Sequence, residues 1–337
     1  MAAGISAGTP LCQWPPCRPR RPMRQSRRPP FRRPPHLQPQ SAGLCSAWCY
    51  HNRMTQQLVE AFDLHAMLGA PRLRLFDCGF SLADPHKGRA DYDAGHIPGA
   101  FYAHLDDDLA GRPGGGRGRH PLPAVPAFIR TLGRFGVAAG DHVVVYDDSG
   151  GAIAARLWWM LRWVGLESVR LLNGGIQAWL RAGYALETDT RSPQPLPFVG
   201  DAADALTAST ADVERRAQQN MVLVDARAAV RYRGEKEPID PVAGHIPGAL
   251  NLPFEENLDA DGRFFAPQRL RRRFADIGIG AANAASVVHM CGSGVTACHN
   301  LLAMEQAGLP GSRLYPGSWS AWVGDGAREV ARIAAAR

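Results

Sequence analysis

Apolar runs of four or five residues recur along the chain in two pairs. The first pair is Leu73–Asp77 and Val143–Tyr146, and the second is Val222–Asp225 and Val287–Met290. All four runs are rich in valine or leucine, and small polar or acidic residues bound them. Runs of this length and composition are typical of short buried strands, so we predict that they belong to parallel sheets.

A longer stretch with helical character follows the later run of each pair. These stretches, at 152–164 and 295–307, are followed directly by Gly165 and Gly308. Glycine is favoured immediately beyond a helix C-terminus because it adopts the left-handed conformation without strain. We therefore predict one helix over each stretch.

Two sequence motifs occur twice and indicate an internal duplication. Gly-His-Ile-Pro-Gly-Ala stands at 95–100 and again at 244–249. A glycine followed five residues later by tryptophan also recurs, as Gly174 with Trp179 and as Gly317 with Trp322. Landmarks repeated in the same order predict a tandem duplication of a β/α domain. Strands that alternate with helices predict an α/β fold in which each copy has a mostly parallel sheet with helices on both faces.

The duplication divides the chain into four predicted segments. An N-terminal domain is expected over 54–186 and a C-terminal domain over 209–337. Between them, residues 187–208 carry three prolines without periodicity and are predicted to form a linker. Residues 1–53 form an extension rich in arginine and proline.

The extension has a composition that cannot support a folded core. Ten prolines lie between Pro10 and Pro39, and branched apolar residues are scarce, so we predict disorder. Repeated proline also excludes the amphipathic helix of a transit peptide. Its four cysteines lack a surrounding apolar pattern, so we expect no metal site there. We hypothesise that translation begins at Met54.

The formal charge of +7 arises in the extension. It contains nine arginines and no acidic residue, which leaves 29 basic and 31 acidic residues in the remainder. A slightly acidic body disfavours a nucleic-acid partner, and no apolar run is long enough to span a membrane. Only Cys78, Cys291 and Cys298 lie in the body, too few for a disulfide framework, so we expect a reducing, cytoplasmic location.

The two copies differ at the end of the later strand, where ligands bind in open α/β sheets. The N-terminal copy reads Asp-Asp-Ser-Gly-Gly at 147–151, and the C-terminal copy reads Cys-Gly-Ser-Gly-Val-Thr-Ala at 291–297. Small residues before a helix let backbone N–H groups form an anion-binding nest, which favours a nucleophilic thiolate. We predict that Cys291 is catalytic and that the N-terminal copy is inactive. Cys298 is expected to be a buried thiol, and Cys78 is expected to lie in the core or at the pocket wall.

The loop at 291–297, the doubled His-Ile-Pro-Gly segments and Gly317-Ser318-Trp319 together resemble the two-domain rhodanese family of sulfurtransferases. The resemblance extends from about Leu58 to the last residues. Within that family, the Cys-Gly-Ser-Gly-Val-Thr loop is similar to that of 3-mercaptopyruvate sulfurtransferases. Members that prefer thiosulfate typically carry arginine and lysine where this chain has Gly292 and Ser293.

This resemblance implies a reaction through a cysteine persulfide, and the lack of a metal cluster, a Rossmann fingerprint or a Walker A loop in the sequence predicts no cofactor. Cys291 would take sulfur from 3-mercaptopyruvate and release it to cyanide or to a thiol acceptor such as thioredoxin. The alternative is thiosulfate:cyanide sulfurtransferase activity. The predicted substrate-binding loop comprises Gly292, Ser293, Gly294, Val295 and Thr296. The two hydroxyls either bind substrate, with Ser293 passing a proton to the pyruvate enolate, or cap the following helix.

A donor with a carboxylate also needs a cation. The resemblance assigns this role to the arginine six residues after Asp225, which is Arg231; an ion pair that holds the loop is compatible with it. Mercaptopyruvate enzymes commonly have a second arginine after a Glu-Pro pair, and this chain has Ile239 there. Arg233 and Lys236 are candidate substitutes.

Two other functions fit the sequence less well. Cysteine phosphatases need an arginine six residues after the nucleophile, and Ala297 occupies that position. A binding module without activity would lack the nucleophile in both copies. We expect His96 and His245 to hold their turns, although His96 is also a candidate to face the pocket, and we expect Trp319 either in the core or at the pocket wall.

Overall fold

The structure is a computed structural model that describes residues 57–333. The predictions for the extension, its disorder and the start at Met54, lie outside the described residues. The domain and linker boundaries stay predictions. Within the described range, helices and strands alternate through two copies of one arrangement.

The N-terminal copy contains a five-stranded sheet in which every described pairing is parallel. The strand order is β1-β5-β4-β2-β3. Its elements are, in chain order, β1 (Leu58–Val59), α1 (Ala61–Met67), β2 (Leu73–Asp77), α2 (Lys87–Ala94), β3 (Ala100–Tyr102), α3 (Leu105–Asp108), α4 (Val125–Arg134), β4 (His142–Tyr146), α5 (Ala154–Trp163), β5 (Val169–Leu172) and α6 (Gly175–Arg181).

The C-terminal copy contains a four-stranded sheet, again with every described pairing parallel. The strand order is β7-β6-β8-β9. Its elements are α7 (Thr210–Glu214), β6 (Val222–Asp225), α8 (Ala229–Arg233), β7 (Leu250–Asn251), α9 (Pro267–Ala275), β8 (Val287–Met290), α10 (Ala297–Gln306), β9 (Arg313–Leu314) and α11 (Ser318–Trp322).

Both faces of each sheet are covered, as the continuous apolar runs predict. In β4, Val143 and Val145 belong to one buried apolar cluster, and Val144 and Tyr146 belong to another on the opposite face. Strands buried on both faces need helices on both sides to exclude water. The predicted α/β fold with two parallel sheets is confirmed.

The predicted helices after the later strands begin two residues too early. Helix α5 begins at Ala154 and α10 at Ala297. Each is preceded by a glycine in the left-handed region, Gly151 at φ +94° and Gly294 at φ +80°. The backbone turns through this conformation before it becomes helical, which shortens each helix at its N-terminus.

One apolar core continues from the N-terminal copy into the C-terminal copy through the contact of α5 with α10. A polar contact lies at its edge, where His299 Nε2 is 3.1 Å from the carbonyl oxygen of Gly150. The strand register aligns Asp77 with Tyr146 and Asp225 with Met290. The loops that follow β4 and β8 therefore begin at the carboxyl edges of their sheets, beside the junction of the copies.

Candidate active site

Cys291 follows β8 directly, and α11 holds its backbone on both sides. The Cys291 N–H donates to Ser318 Oγ at 3.1 Å, and the Cys291 carbonyl accepts from the Trp319 N–H at 3.0 Å. Ser318 has φ +52°, a left-handed conformation that is uncommon for a side-chain-bearing residue. Its hydroxyl in turn donates to the carbonyl of Tyr315 at 2.9 Å. This strained residue fixes the loop at its first position.

The loop turns one backbone amide onto the thiol. The Gly294 N–H donates to Cys291 Sγ at 3.1 Å. Gly294 has a positive φ, and a Cβ at this position would overlap the carbonyl oxygen of Pro316. Only glycine satisfies both constraints, so the contact to sulfur depends on the small residue at position 294.

The equivalent loop of the N-terminal copy shows what such a nest binds. The Asp147 carboxylate accepts four backbone hydrogen bonds, from Ser149 at 2.9 Å and from Gly151, Ile153 and Ala154 at 2.8 Å each. A carboxylate surrounded by inward-facing N–H groups is the geometry of an anion-binding nest. This loop presents a carboxylate where the C-terminal copy has Cys291, and the inactivity of the N-terminal copy stays a prediction.

Cys291 borders a cavity of about 260 Å³ between the two copies. The predicted site residues that line it are Cys291, Gly292, Ser293, Val295, Thr296 and Arg231. The other two thiols of the described chain, Cys78 and Cys298, are buried in the core. Burial raises the pKa of Cys298 to about 12 and raises that of Cys78 as well, so both stay protonated.

Arg231, on α8, is oriented by acidic neighbours. Its Nε lies 3.1 Å from Glu237 Oε2 and its Nη2 lies 2.6 Å from Glu237 Oε1. Arg231 therefore makes the ion pair that the sequence allowed and also borders the cavity. Ile239 borders it too. Arg233 instead pairs with Glu235, 2.6 Å away on the surface, so it does not replace the missing arginine.

A chain of polar groups from the N-terminal copy reaches Ser293, and the sequence did not reveal it. His120 Nδ1 is 2.7 Å from Ser293 Oγ, and His120 Nε2 is 3.2 Å from Asp106 Oδ1. Burial lowers the pKa of His120 to about 4, with Asp106 acting in the opposite direction. The imidazole is therefore neutral near pH 7, and a proton on the nitrogen that faces Asp106 is the tautomer that leaves Nδ1 able to accept from the Ser293 hydroxyl.

At Ser293, the contact with His120 disfavours a capping role for the hydroxyl, and the binding of substrate by this hydroxyl stays a prediction. Its side chain is committed to His120 rather than to the helix that follows. Thr296 is the N-cap of α10 but makes no side-chain capping hydrogen bond, and it borders the cavity.

A second residue of the N-terminal copy supports the loop from behind. Arg156 is fully buried and donates to the carbonyl oxygen of Gly294 at 2.8 Å and to that of His120 at 3.1 Å. One guanidinium thus positions both the residue that contacts Cys291 Sγ and the residue that contacts Ser293. Burial lowers the pKa of Arg156.

Comparison with protein families agrees with this duplicated architecture. The family model described as a rhodanese-like domain matches residues 60–182 and again 209–325. The chain belongs to the rhodanese family. The two matches contain the two sheets, and the second contains the Cys291 loop.

Individual rhodanese-family relatives match most of the chain. A probable 3-mercaptopyruvate sulfurtransferase of Pseudomonas aeruginosa is 46% identical over 278 residues, which cover 82% of this chain and 98% of that protein. The thiosulfate sulfurtransferase of Rattus norvegicus is 34% identical over 258 residues, covering 75% of this chain and 85% of that protein. The crystal structure of SseA from Escherichia coli, described as a 3-mercaptopyruvate sulfotransferase, matches with a TM-score of 0.69 and 30% identity. The match covers 79% of this chain and 99% of that chain.

The remaining residues singled out in the rhodanese motifs have structural positions. His96 Nδ1 contacts the carbonyl oxygen of Tyr92 at 2.7 Å, and His245 Nδ1 contacts that of Tyr232 at 2.8 Å. Trp319 is fully buried in the core. Within residues 57–333, no cluster of three or more metal-binding side chains is present, and no helix is both long and apolar enough to cross a membrane.

Proposed function

We propose that this rhodanese-family chain is a sulfurtransferase that takes sulfur from 3-mercaptopyruvate and carries it as a persulfide on Cys291. The observation that carries the proposal is the placement of Cys291 Sγ at the cavity, with the Gly294 N–H 3.1 Å away and the Ser293 hydroxyl backed by His120. The similarity to 3-mercaptopyruvate sulfurtransferases supports this donor.

In the first half-reaction, the Cys291 thiolate attacks the sulfur of 3-mercaptopyruvate. The new S–S bond forms as the C–S bond breaks, and the electron pair of the C–S bond passes to the enolate of pyruvate. Ser293 and His120 take the proton of the donor thiol and return it to the enolate. Asp106 steadies the imidazolium formed in between, and the Gly294 N–H stabilises the charge on the persulfide.

In the second half-reaction, an acceptor thiolate or cyanide attacks the outer sulfur and releases the Cys291 thiolate. The cavity is bordered by two partly exposed apolar side chains, Leu82 and Ile239, which are 56% and 42% exposed. An apolar rim beside a reactive sulfur suits a small protein thiol, so we propose thioredoxin as the acceptor. Free thiols at Cys78 and Cys298 support a reducing location such as the cytoplasm.

The choice of donor follows from charge. Gly292 and Ser293 offer the donor no cationic side chain, so the loop itself gives a thiosulfate dianion only backbone and hydroxyl dipoles, and cationic contacts come from the arginines that border the cavity. Arg231 suits a single carboxylate. We therefore expect kcat/KM for 3-mercaptopyruvate to exceed that for thiosulfate on one preparation. The reverse order would favour the thiosulfate alternative, to which the relative from Rattus norvegicus corresponds by name.

The persulfide is tested independently of the donor. After incubation with 3-mercaptopyruvate, mass spectrometry should find one added sulfur atom on the peptide that contains Cys291. Cys291→Ser should retain the fold and lose turnover, whereas the matched variant Cys298→Ser should keep both. Sulfur found on Cys298 or Cys78 would contradict the assignment of the nucleophile.

A further inference from the structure

The carboxylate subsite contains a second arginine that comes from the N-terminal copy. Arg119 lies between α3 and α4 and borders the same cavity as Cys291 and Arg231. Its backbone N–H donates to Ser320 Oγ at 3.1 Å, which anchors this part of the N-terminal copy to α11. The loop that carries Arg119 is therefore held across the junction between the copies.

Arg119 and Arg231 converge on one point beside the nucleophile. A Cβ at position 292 would lie 3.1 Å from Arg119 Nη2 and 3.5 Å from Arg231 Nη2. Because Gly292 has no side chain, both guanidinium groups approach its backbone closely and border the cavity beside Cys291. Two guanidinium groups that face one small space can together bind both oxygens of a carboxylate.

Asp240 holds the two guanidinium groups side by side. Its Oδ1 accepts from Arg119 and its Oδ2 accepts from Arg231 at 3.3 Å. Both carboxylate oxygens of Asp240 are thereby occupied. Arg119 Nε, in contrast, is buried with no partner among the described residues. The arginine pair is thus ordered before a donor binds, which lowers the entropy cost of binding.

We propose that Arg119 is a specificity-determining residue that binds the carboxylate of the donor together with Arg231. This inference rests on the proposed function, because it assumes a donor with a carboxylate. It explains how the site tolerates Ile239, since the second positive charge comes from the other copy. It also makes the carboxylate subsite incomplete in either copy alone.

The test compares 3-mercaptopyruvate with 1-mercaptopropan-2-one, a neutral analogue in which a methyl group replaces the carboxylate. For Arg119→Met, we expect KM for 3-mercaptopyruvate to rise roughly tenfold or more, with kcat changed far less. The kinetic constants for the neutral donor should stay within about twofold of wild type. Pyruvate carries the same carboxylate but no sulfur to transfer, so it acts only as an inhibitor. Its inhibition constant should rise by the same factor as KM.

Two variants control for structure. Arg117→Met removes a nearby exposed arginine, which contacts only carbonyl oxygens of its own loop, and should leave both donors unaffected. Arg119→Lys keeps a cation beside Asp240 and should raise KM for 3-mercaptopyruvate less than Arg119→Met does. It serves as the decisive variant if Arg119→Met does not fold.

The outcomes separate this inference from the proposed function. A wild-type enzyme that uses the neutral donor as well as 3-mercaptopyruvate and prefers thiosulfate would refute the proposed function. A wild-type enzyme with a strong preference for 3-mercaptopyruvate, whose Arg119 variants keep KM and the pyruvate inhibition constant or lose both donors equally, would overturn the role of Arg119 alone.

Discussion

Replacing the carboxylate in the nest of the N-terminal copy measures how strongly such a loop holds an anion. Each oxygen of Asp147 accepts two backbone hydrogen bonds: Oδ1 from Ser149 and Gly151, and Oδ2 from Ile153 and Ala154. In Asp147→Asn, one oxygen becomes an NH2 group, so two N–H groups lose their acceptor. Hydrogen bonds to a charged group contribute about 1.5 to 3 kcal/mol each, so the free energy of unfolding should fall by about 3 to 6 kcal/mol.

The assay is equilibrium unfolding in urea, followed by circular dichroism and by tryptophan fluorescence, with coincident curves required before a free energy is extracted. Asp148→Asn is the matched control because Asp148 is adjacent but exposed, and its effect should stay within about 0.5 kcal/mol. If Asp147→Asn is as stable as this control, the nest does not stabilise an anion. The same argument for the persulfide at Cys291 would then fail.

Two further predictions concern the hydroxyl of Ser293 and the buried imidazole of His299. Ser293→Ala should lower kcat for 3-mercaptopyruvate roughly a hundredfold in steady-state assays. It should lower kcat for thiosulfate less, because the departing sulfite needs no proton. Equal losses with both donors would contradict the relay through His120. Burial lowers the pKa of His299 to about 3, whereas the pKa of histidine in the unfolded chain is about 6.5. As the pH falls, the unfolded state therefore binds the proton first. The free energy of unfolding decreases as the pH drops from about 6.5 to about 3. Between pH 7.5 and 5 this group should cost about 2 kcal/mol in urea unfolding, and a wild-type pH dependence no steeper than that of His299→Gln would refute it.

Local features of the fold could be predicted from the sequence because each depends on neighbouring residues. The bounds of β2 and β6 follow from apolar runs that end at an aspartate, and those of β8 from an apolar run that ends before Cys291 and Gly292. Cys291 was distinguished from the other thiols by its small neighbours and by the comparison with Asp147. The starts of α5 and α10 were wrong because the pattern of apolar residues does not reveal where a glycine adopts a positive φ.

The part of the site that comes from the other copy could not be predicted. His120 and Ser293 are 173 residues apart, and no motif connects them. From the sequence alone, nothing distinguishes Arg119 from other charged loop residues or Arg156 from other polar helix residues. Their roles arise only when α5 packs against α10 and brings the carboxyl edges of the two sheets together. Sequence patterns report burial and local conformation, but not the docking of one domain on another.

Both copies therefore contribute residues to the cavity at Cys291. In the N-terminal copy, the backbone N–H groups of the nest donate to its own aspartate, Asp147, where the other copy has Cys291. That copy instead supplies His120, Arg119 and Arg156 to its neighbour, where the equivalent loop presents a thiol. A substitution in the junction between α5 and α10 should consequently reduce activity even if both copies remain folded. Under the proposed mechanism the docked pair is the catalytic unit, because Cys291 and Ser293 belong to one copy and His120 and Asp106 to the other.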